Sequence, residues 1–144
     1  MKLIDNKKLG LTYSVSETIQ AGIELFGFEV KSLRKKLGSL EGARIIVRGG
    51  EAFVVGMYIP AYQPANTPKD YDEHRTRRLL LNKKELDYLG GIEHTKTLTL
   101  TPSSLYLSNR LIKCTVAVCK RKQAHDKREL IKKDIARREL RDSH

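Results

Sequence analysis

The sequence predicts a mainly β protein with some helix: a small antiparallel barrel of six strands, two or three flanking helices and a basic C-terminal tail. Three observations support this prediction. A length of 144 residues with 40% hydrophobic side chains suits one domain with a modest core. Six short runs have strand-like composition, and turn residues join most of them in hairpin order. From Lys120 onward, ten Lys and Arg residues accompany only five acids, so we expect a barrel over residues 1–119 and a tail over 120–144.

The first predicted elements are a strand and a basic helix. Residues 13–25 alternate polar and apolar side chains, which predicts a strand that bends at Gly22. The apolar residues of segment 28–37 then recur at helical spacing, and Gly38 is placed to end this helix. The basic residues of the helix are expected to face outward.

A β-hairpin is predicted next. Residues 43–48 and 51–58 are β-rich, and Gly49-Gly50 between them is a strong signal for a two-residue hairpin turn. Pro60 closes the second strand because proline cannot donate a ladder hydrogen bond.

The second half is predicted to contain a long loop, a helix and three strands. The connection over residues 60–78 has three prolines and no regular period, and loops of this length are usually functional or disordered. Asn82 has the character of a helix N-cap, and Gly90-Gly91 is expected to end that helix. The remaining strands are expected at residues 97–101, 104–108 and 113–118, with a turn at 108–110.

The two cysteines are predicted to be buried, reduced thiols. Cys114 and Cys119 are five residues apart on one predicted strand, so they lie on opposite faces and cannot form a disulfide. Free thiols suit a reducing compartment. No segment resembles a secretory signal or a membrane span, and we expect a cytoplasmic protein without a membrane partner.

The tail can form a helix, but one without a continuous apolar stripe. Asp126 followed by Glu129 resembles a capping box, and segment 130–140 is rich in good helix formers. Its apolar residues advance four to five positions at a time and therefore drift around the helix axis. We expect the free tail to be disordered and to become helical only on a partner.

Catalytic motifs are weak, and we predict no enzymatic activity, no metal and no cofactor. The triplet Glu29-Val30-Lys31 resembles part of a nuclease metal site, but it falls on a predicted helix, where its two charged side chains diverge. A surface Glu that forms a salt bridge is the preferred interpretation. The four His residues have no metal-site spacing, and the glycine pairs lack the Lys of a phosphate loop.

The charge distribution predicts RNA as the partner. The net charge is +11 and the isoelectric point about 9.8, which favours binding to a polyanion. With no Trp, stacking on bases would come from residues such as Tyr13, Tyr62 or Tyr106. Two basic groups in the barrel are the candidate phosphate contacts: Lys31 and Arg34 in the helix, and Arg75, Arg77 and Arg78 at the end of the long loop.

Several segments also resemble, in order, a family of bacterial proteins known as small protein B (SmpB) or SsrA-binding proteins. The resemblance covers nearly the whole chain, from Asn6 to about Arg141. Its specificity lies in the combination of the motifs and their mutual distance. The main segments are Glu29-Val30-Lys31-Ser32-Leu33-Arg34, Gly50-Glu51-Ala52-Phe53, Arg75-Thr76-Arg77-Arg78-Leu79-Leu80-Leu81-Asn82 and His125-Asp126-Lys127-Arg128.

This resemblance implies a fold, a function and a set of partners. The fold would be an oligonucleotide-binding-like (OB-like) barrel that binds the tRNA-like domain of transfer-messenger RNA, also called SsrA RNA. The protein would deliver this RNA to stalled ribosomes in trans-translation, with its tail in the empty mRNA channel beyond the decoding centre of the small subunit. Alanyl-tRNA synthetase and elongation factor Tu would be indirect partners.

The resemblance also assigns roles to residues by position. The RNA-binding positions are Asn6, Tyr13, Gln20, Leu80, Asn82 and Lys113. The ribosome-contacting tail includes Lys120, Lys122, His125, Asp126, Lys127 and Arg128, to which the charge pattern adds Lys132 and Lys133.

Four positions depart from the family pattern. Gln20 stands where an RNA-contacting Glu is common, and Leu11 where a His is usual. Arg121 replaces a Gly and Gln123 a Lys, and Arg is expected to stiffen the connection between barrel and tail. A general or ribosomal RNA-binding protein without a rescue role is the alternative interpretation.

Overall fold

The computed structural model describes residues 1–122, which form one antiparallel sheet with three helices. The strands are β1 (Lys2–Asp5), β2 (Tyr13–Ile23), β3 (Arg44–Arg48), β4 (Glu51–Val55), β5 (Arg77–Leu80), β6 (Leu98–Ser108) and β7 (Leu111–Arg121). The helices are α1 (Leu9–Thr12), α2 (Gly27–Arg34) and α3 (Lys83–Glu93), and Pro64–Asn66 forms a single 3-10 turn.

The strand order is β1-β6-β7-β2-β5-β4-β3, and every named strand pair is antiparallel. The edge strand β3 also contacts β6, so the sheet curls around the core. The mainly β, antiparallel fold predicted from the sequence is confirmed, with seven strands in place of six. None of the helices within residues 1–122 has the length and apolar character needed to cross a membrane.

The strand count differs for two reasons. Two short strands, β1 and β5, were not predicted from the sequence, and the strands predicted at 97–101 and 104–108 form the single strand β6. β1 and β5 have four residues each, too few to show a clear alternation. The strands predicted separately at 97–101 and 104–108 lie on either side of Pro102. The chain instead continues through β6, with a shift in register between Pro102 and Ser104, and an irregularity of this kind is where a strand tolerates proline.

Both predicted hairpin turns are confirmed. Gly49 and Gly50 have φ of 60° and 74°, so both occupy the left-handed region that favours glycine. Asn109 and Arg110, between β6 and β7, also have positive φ.

The ends of the helices were predicted with mixed success. Asn82 caps α3 as expected, because its Oδ1 accepts the backbone N–H of Glu85 at 2.8 Å. Gly90-Gly91 does not end this helix, which continues to Glu93 and buries Leu89 and Ile92 against the core. The gain from burying Ile92 offsets the weak helix preference of glycine.

The segment of β7 from Val116 to Cys119 is covered on both faces, so all four of these residues are buried. Cys114 belongs to the main core, whereas Cys119 packs with Leu9 of α1 on the other face. Both thiols are free and buried, as predicted. Burial raises the pKa of the Cys114 thiol to about 12.

Candidate RNA-binding surface

Three predicted RNA-binding residues meet on the outer face of the sheet where β7, β2 and β5 run side by side. Gly22 of β2 pairs with Lys113 of β7 on one side and with Leu80 of β5 on the other. Gln20 lies two positions before Gly22 and accepts a hydrogen bond from the Thr115 hydroxyl at 2.9 Å. Residues that are distant in the sequence therefore form one patch on the molecular surface.

Gly22 allows Leu80 to lie across β2. A Cβ atom added to Gly22 would be 3.1 Å from the Cβ of Leu80, tighter than nine in ten Cβ contacts. Leu80 is 47% exposed, so it offers apolar surface on the same face as Lys113, which lies two strands away across Gly22. A leucine on the same face as a lysine can contact a sugar or base while the lysine pairs with a phosphate.

Asn82 and Arg78 lie two residues to either side of Leu80. Asn82 is exposed, and because its Oδ1 caps α3, a contact with RNA would use its amide nitrogen. Arg78 is exposed and pairs with Glu24 at 3.3 Å and Glu51 at 2.8 Å. These exposed ion pairs are weak, so the guanidinium can exchange its carboxylate partners for a phosphate.

Arg77 does not belong to this surface, contrary to the prediction. Its side chain is fully buried, and its guanidinium donates to the Glu29 carboxylate at 2.6 and 2.9 Å and to the carbonyl oxygen of Met57 at 2.5 Å. Alternating residues of β5 face the core, and Arg77 has the inward parity of Leu79. A guanidinium held in this way is not accessible to a phosphate.

Glu29 is the centre of a buried polar network. Its carboxylate accepts hydrogen bonds from Arg75, Arg77, the Tyr71 hydroxyl and the Phe26 amide. Burial raises the pKa of Glu29, but the hydrogen bonds from Arg75, the Phe26 amide and Arg77 outweigh it, so the pKa lies below its ordinary value of 4.5. The predicted salt bridge is present, but the residue is buried and not on the surface.

Arg75 is half-buried and has a role in the same network. Its guanidinium lies 4.0 Å from the centre of the Phe26 ring and donates to Glu29. The hydroxyl of Tyr71, in the long loop, lies 2.9 Å from both Glu29 Oε2 and the carbonyl oxygen of Ile59 and shares its single proton between them. Sequence reasoning missed Tyr71, and nothing in the local pattern distinguishes it from the other tyrosines.

Asn6 and Tyr13 lie in a second region, around α1. They line an open pocket of about 460 Å³ with Lys8 and Arg44. Asn6 donates to the carbonyl oxygen of Pro102 at 3.1 Å, and Tyr13 packs on the small cluster around Leu9. Lys31 and Arg34 form a third group, exposed on α2 as predicted.

The predicted tail residues fall partly within the described chain. Lys120 is exposed and belongs to β7. Lys122 is fixed to α1, since its backbone N–H donates to Thr12 and its Nζ to the carbonyl oxygen of Gly10 at 2.6 Å. The other predicted tail contacts lie outside the described residues: His125, Asp126, Lys127, Arg128, Lys132 and Lys133.

Within residues 1–122, no group of three or more His, Cys, Asp or Glu side chains is placed to hold a metal ion. The nuclease interpretation of Glu29 and Lys31 is disfavoured, because the Glu29 oxygens are occupied by two guanidinium groups.

Comparisons with known proteins agree on one family. The profile of the SmpB protein family matches residues 3–144. SsrA-binding protein of Clostridium acetobutylicum is 41% identical over 96% of this chain and 88% of its own length. The protein of the same name from Mesoplasma florum is 42% identical over 94% of this chain and 92% of its own.

A solved structure is similar to the described fold. It is presented as "tmRNA-SmpB: a journey to the center of the bacterial ribosome" and superimposes with a TM-score of 0.71 at 34% identity. The match covers 86% of this chain and 87% of the other.

Proposed function

This chain belongs to the SmpB protein family, and from that premise we propose that it binds transfer-messenger RNA and acts with it on stalled ribosomes in trans-translation. The observation that carries the proposal is the patch on β2, β5 and β7, where Gln20, Leu80 and Lys113 are brought together. The chain has a net charge of +11, and this patch combines a cation, an amide and an apolar side chain. The cation can pair with a phosphate of the RNA backbone, and the other two groups can contact bases or sugars.

The RNA partner is proposed to be the tRNA-like domain, and Asn82 and Arg78 extend the patch along β5 toward α3. Asn6 and Tyr13 contribute a separate contact region around α1, and Lys31 and Arg34 a third on α2. Arg75 and Arg77 are reassigned to the network around Glu29, where they hold the long loop and β5 against helix α2.

The tail is proposed to contact the small ribosomal subunit at its decoding centre and mRNA channel. We also propose that the protein works in the cytoplasm, catalyses no reaction and needs no cofactor. Alanyl-tRNA synthetase and elongation factor Tu are proposed as indirect partners, through the RNA.

The assignment can be tested by mixing the purified protein with total cellular RNA and sequencing what co-purifies. We expect one dominant RNA with a tRNA-like end. Enrichment of bulk ribosomal RNA would support a general RNA-binding protein instead. Shortening of the RNA when Mg²⁺ is added would support a nuclease.

The RNA surface can be tested through the salt dependence of binding. Lys113→Ala should make the slope of log affinity against log salt less steep by about 0.7 to 0.9, the value for one phosphate contact. Lys96→Ala, an exposed lysine outside the patch, is the matched control and should leave the slope unchanged. An unchanged slope in Lys113→Ala would remove this residue from the interface.

A further inference from the structure

The patch on β2, β5 and β7 is part of a longer row that crosses five strands. Lys2 of β1 is in register with Tyr106 of β6, and Tyr106 is in register with Lys113 of β7. Lys113 continues the row to Gly22 and Leu80. Adjacent strands are about 4.8 Å apart, so the row is about 19 Å long.

All members of the row face away from the main core. Leu105 and Leu107, the neighbours of Tyr106, pack in or against the core, so the alternation of β6 places Tyr106 on the outer face. Ile112 and Cys114 do the same for Lys113. Tyr106 is half-buried and Lys2 is exposed.

The order of the side chains across the strands suits the binding of a single nucleotide. A tyrosine ring lies between two lysines, each one strand away from it. An aromatic ring offers a surface on which an unpaired base can stack, and this contact tolerates any base. The long side chains on either side can reach the phosphates that flank such a base. Lys2 is also paired with Asp5 at 3.6 Å, but this exposed contact is too weak to withhold it from a phosphate.

We propose that Tyr106 and Lys2 extend the RNA-binding surface, with Tyr106 stacking on one unpaired nucleotide of the bound RNA and Lys2 and Lys113 contacting its flanking phosphates. The inference rests on the proposed function, since it assumes that transfer-messenger RNA is the ligand. It assigns the β1–β6 side of the sheet to the same RNA and predicts that one nucleotide is unstacked there.

The affinity test uses the full chain, transfer-messenger RNA and three tyrosine variants. Tyr106→Leu removes the ring and should weaken binding by about 5-fold to 150-fold, with an unchanged salt slope. Tyr106→Phe keeps the ring and should bind within about twofold of the original protein. Tyr88→Leu, at a tyrosine that is 50% exposed on α3, is the matched control and should bind normally. Thermal unfolding confirms that each variant is folded.

Lys2→Ala tests the phosphate contact, and its salt slope should be less steep by about 0.7 to 0.9. Ultraviolet cross-linking of the unchanged protein tests the stacking directly. Trypsin releases residues 97–110 as one peptide in which Tyr106 is the single aromatic residue, and we expect a nucleotide attached to it. This measurement decides the matter if Tyr106→Leu does not fold.

The outcomes separate this inference from the proposed function. If the original protein binds the RNA and Lys113→Ala weakens binding, but folded Tyr106→Leu binds normally, the stacking proposal is wrong and the function stands. Absence of a cross-link on peptide 97–110 would also overturn it. If the original protein does not bind transfer-messenger RNA, the proposed function itself fails.

Discussion

The Glu29 carboxylate and the Arg77 guanidinium form a fully buried ion pair, with 2.6 Å between Oε2 and Nη2. The pair joins helix α2 to strand β5 through two residues that are 48 positions apart in the sequence. Arg75 and Tyr71 complete the network from the long loop. A charged cluster at the start of β5 therefore fixes the position of the strand that carries Leu80, a proposed RNA contact.

Removing one member of this pair should destabilise the fold. Glu29→Gln should lower the free energy of unfolding by about 3–5 kcal/mol, because it leaves Arg77 as an uncompensated buried charge. Arg77→Met should also destabilise the fold but by less, since Glu29 keeps its ion pair with Arg75. Urea unfolding measures the loss. The control is Arg78→Met, whose ion pairs are exposed and should contribute less than about 1 kcal/mol. Equal stability of Arg77→Met and the original protein would contradict the structural role.

The same pair should make stability depend on acidity. The folded protein holds the pKa of Glu29 below its unfolded value, so the stabilisation is complete above about pH 4.5 and is lost as the pH falls through the folded pKa. The difference in unfolding free energy between the original protein and Glu29→Gln should therefore shrink from pH 7 to pH 3. A difference that is constant over this range would show that Glu29 does not titrate with folding.

Gly22→Ala should disturb RNA binding more than folding. The added methyl group would be 3.1 Å from the Cβ of Leu80, so Leu80 must move within the proposed interface. We expect binding to weaken by roughly threefold to tenfold, about 0.7–1.4 kcal/mol. Gly91→Ala is the control, since its Cβ meets nothing within 4 Å, and its RNA affinity should not change. Normal RNA binding by Gly22→Ala would place the interface elsewhere.

Features that depend on a few neighbouring residues were predicted correctly from the sequence. Features that depend on contacts between residues far apart in the chain were not. The glycine turn at Gly49-Gly50 and the Asn82 cap follow from backbone requirements of a few neighbouring residues. The burial of Arg77 could not be predicted, because an arginine between two others resembles a solvated loop until Glu29 is placed beside it. The row formed by Lys113 and Leu80 depends on strand order, which a single sequence does not encode in any local pattern.

Removing the chain after Lys122 should leave RNA binding largely intact. The structure favours this cut over one after Cys119, because β7 continues to Arg121 and Lys122 bonds to α1. The proposed RNA contacts all lie before the cut, so affinity should stay within about tenfold, or 1.4 kcal/mol. A gel-shift assay measures it. A much larger loss would show that the tail carries the main RNA contacts.

The tail is expected to serve the ribosome and not the RNA. Replacing Asp126, Lys127 and Arg128 together with Ala should leave the complex with transfer-messenger RNA intact but stop tagging on stalled ribosomes. Asp126 is a predicted N-cap worth about 1 kcal/mol of helix stability, and the two cations are predicted to pair with phosphates of ribosomal RNA.

The physical reason for this separation is the drift of the apolar side chains around the predicted tail helix, which leaves no face to pack on the protein's own sheet. Ordering of the helix must then come from the ribosome, and a peptide of residues 123–144 should show little helix by circular dichroism. The matched control, Lys83→Ala with Lys84→Ala in the barrel, should tag normally, since it removes two cations without touching the tail. Normal tagging by the triple variant, or a stable helix in the isolated peptide, would show that folding of the tail is not coupled to the ribosome.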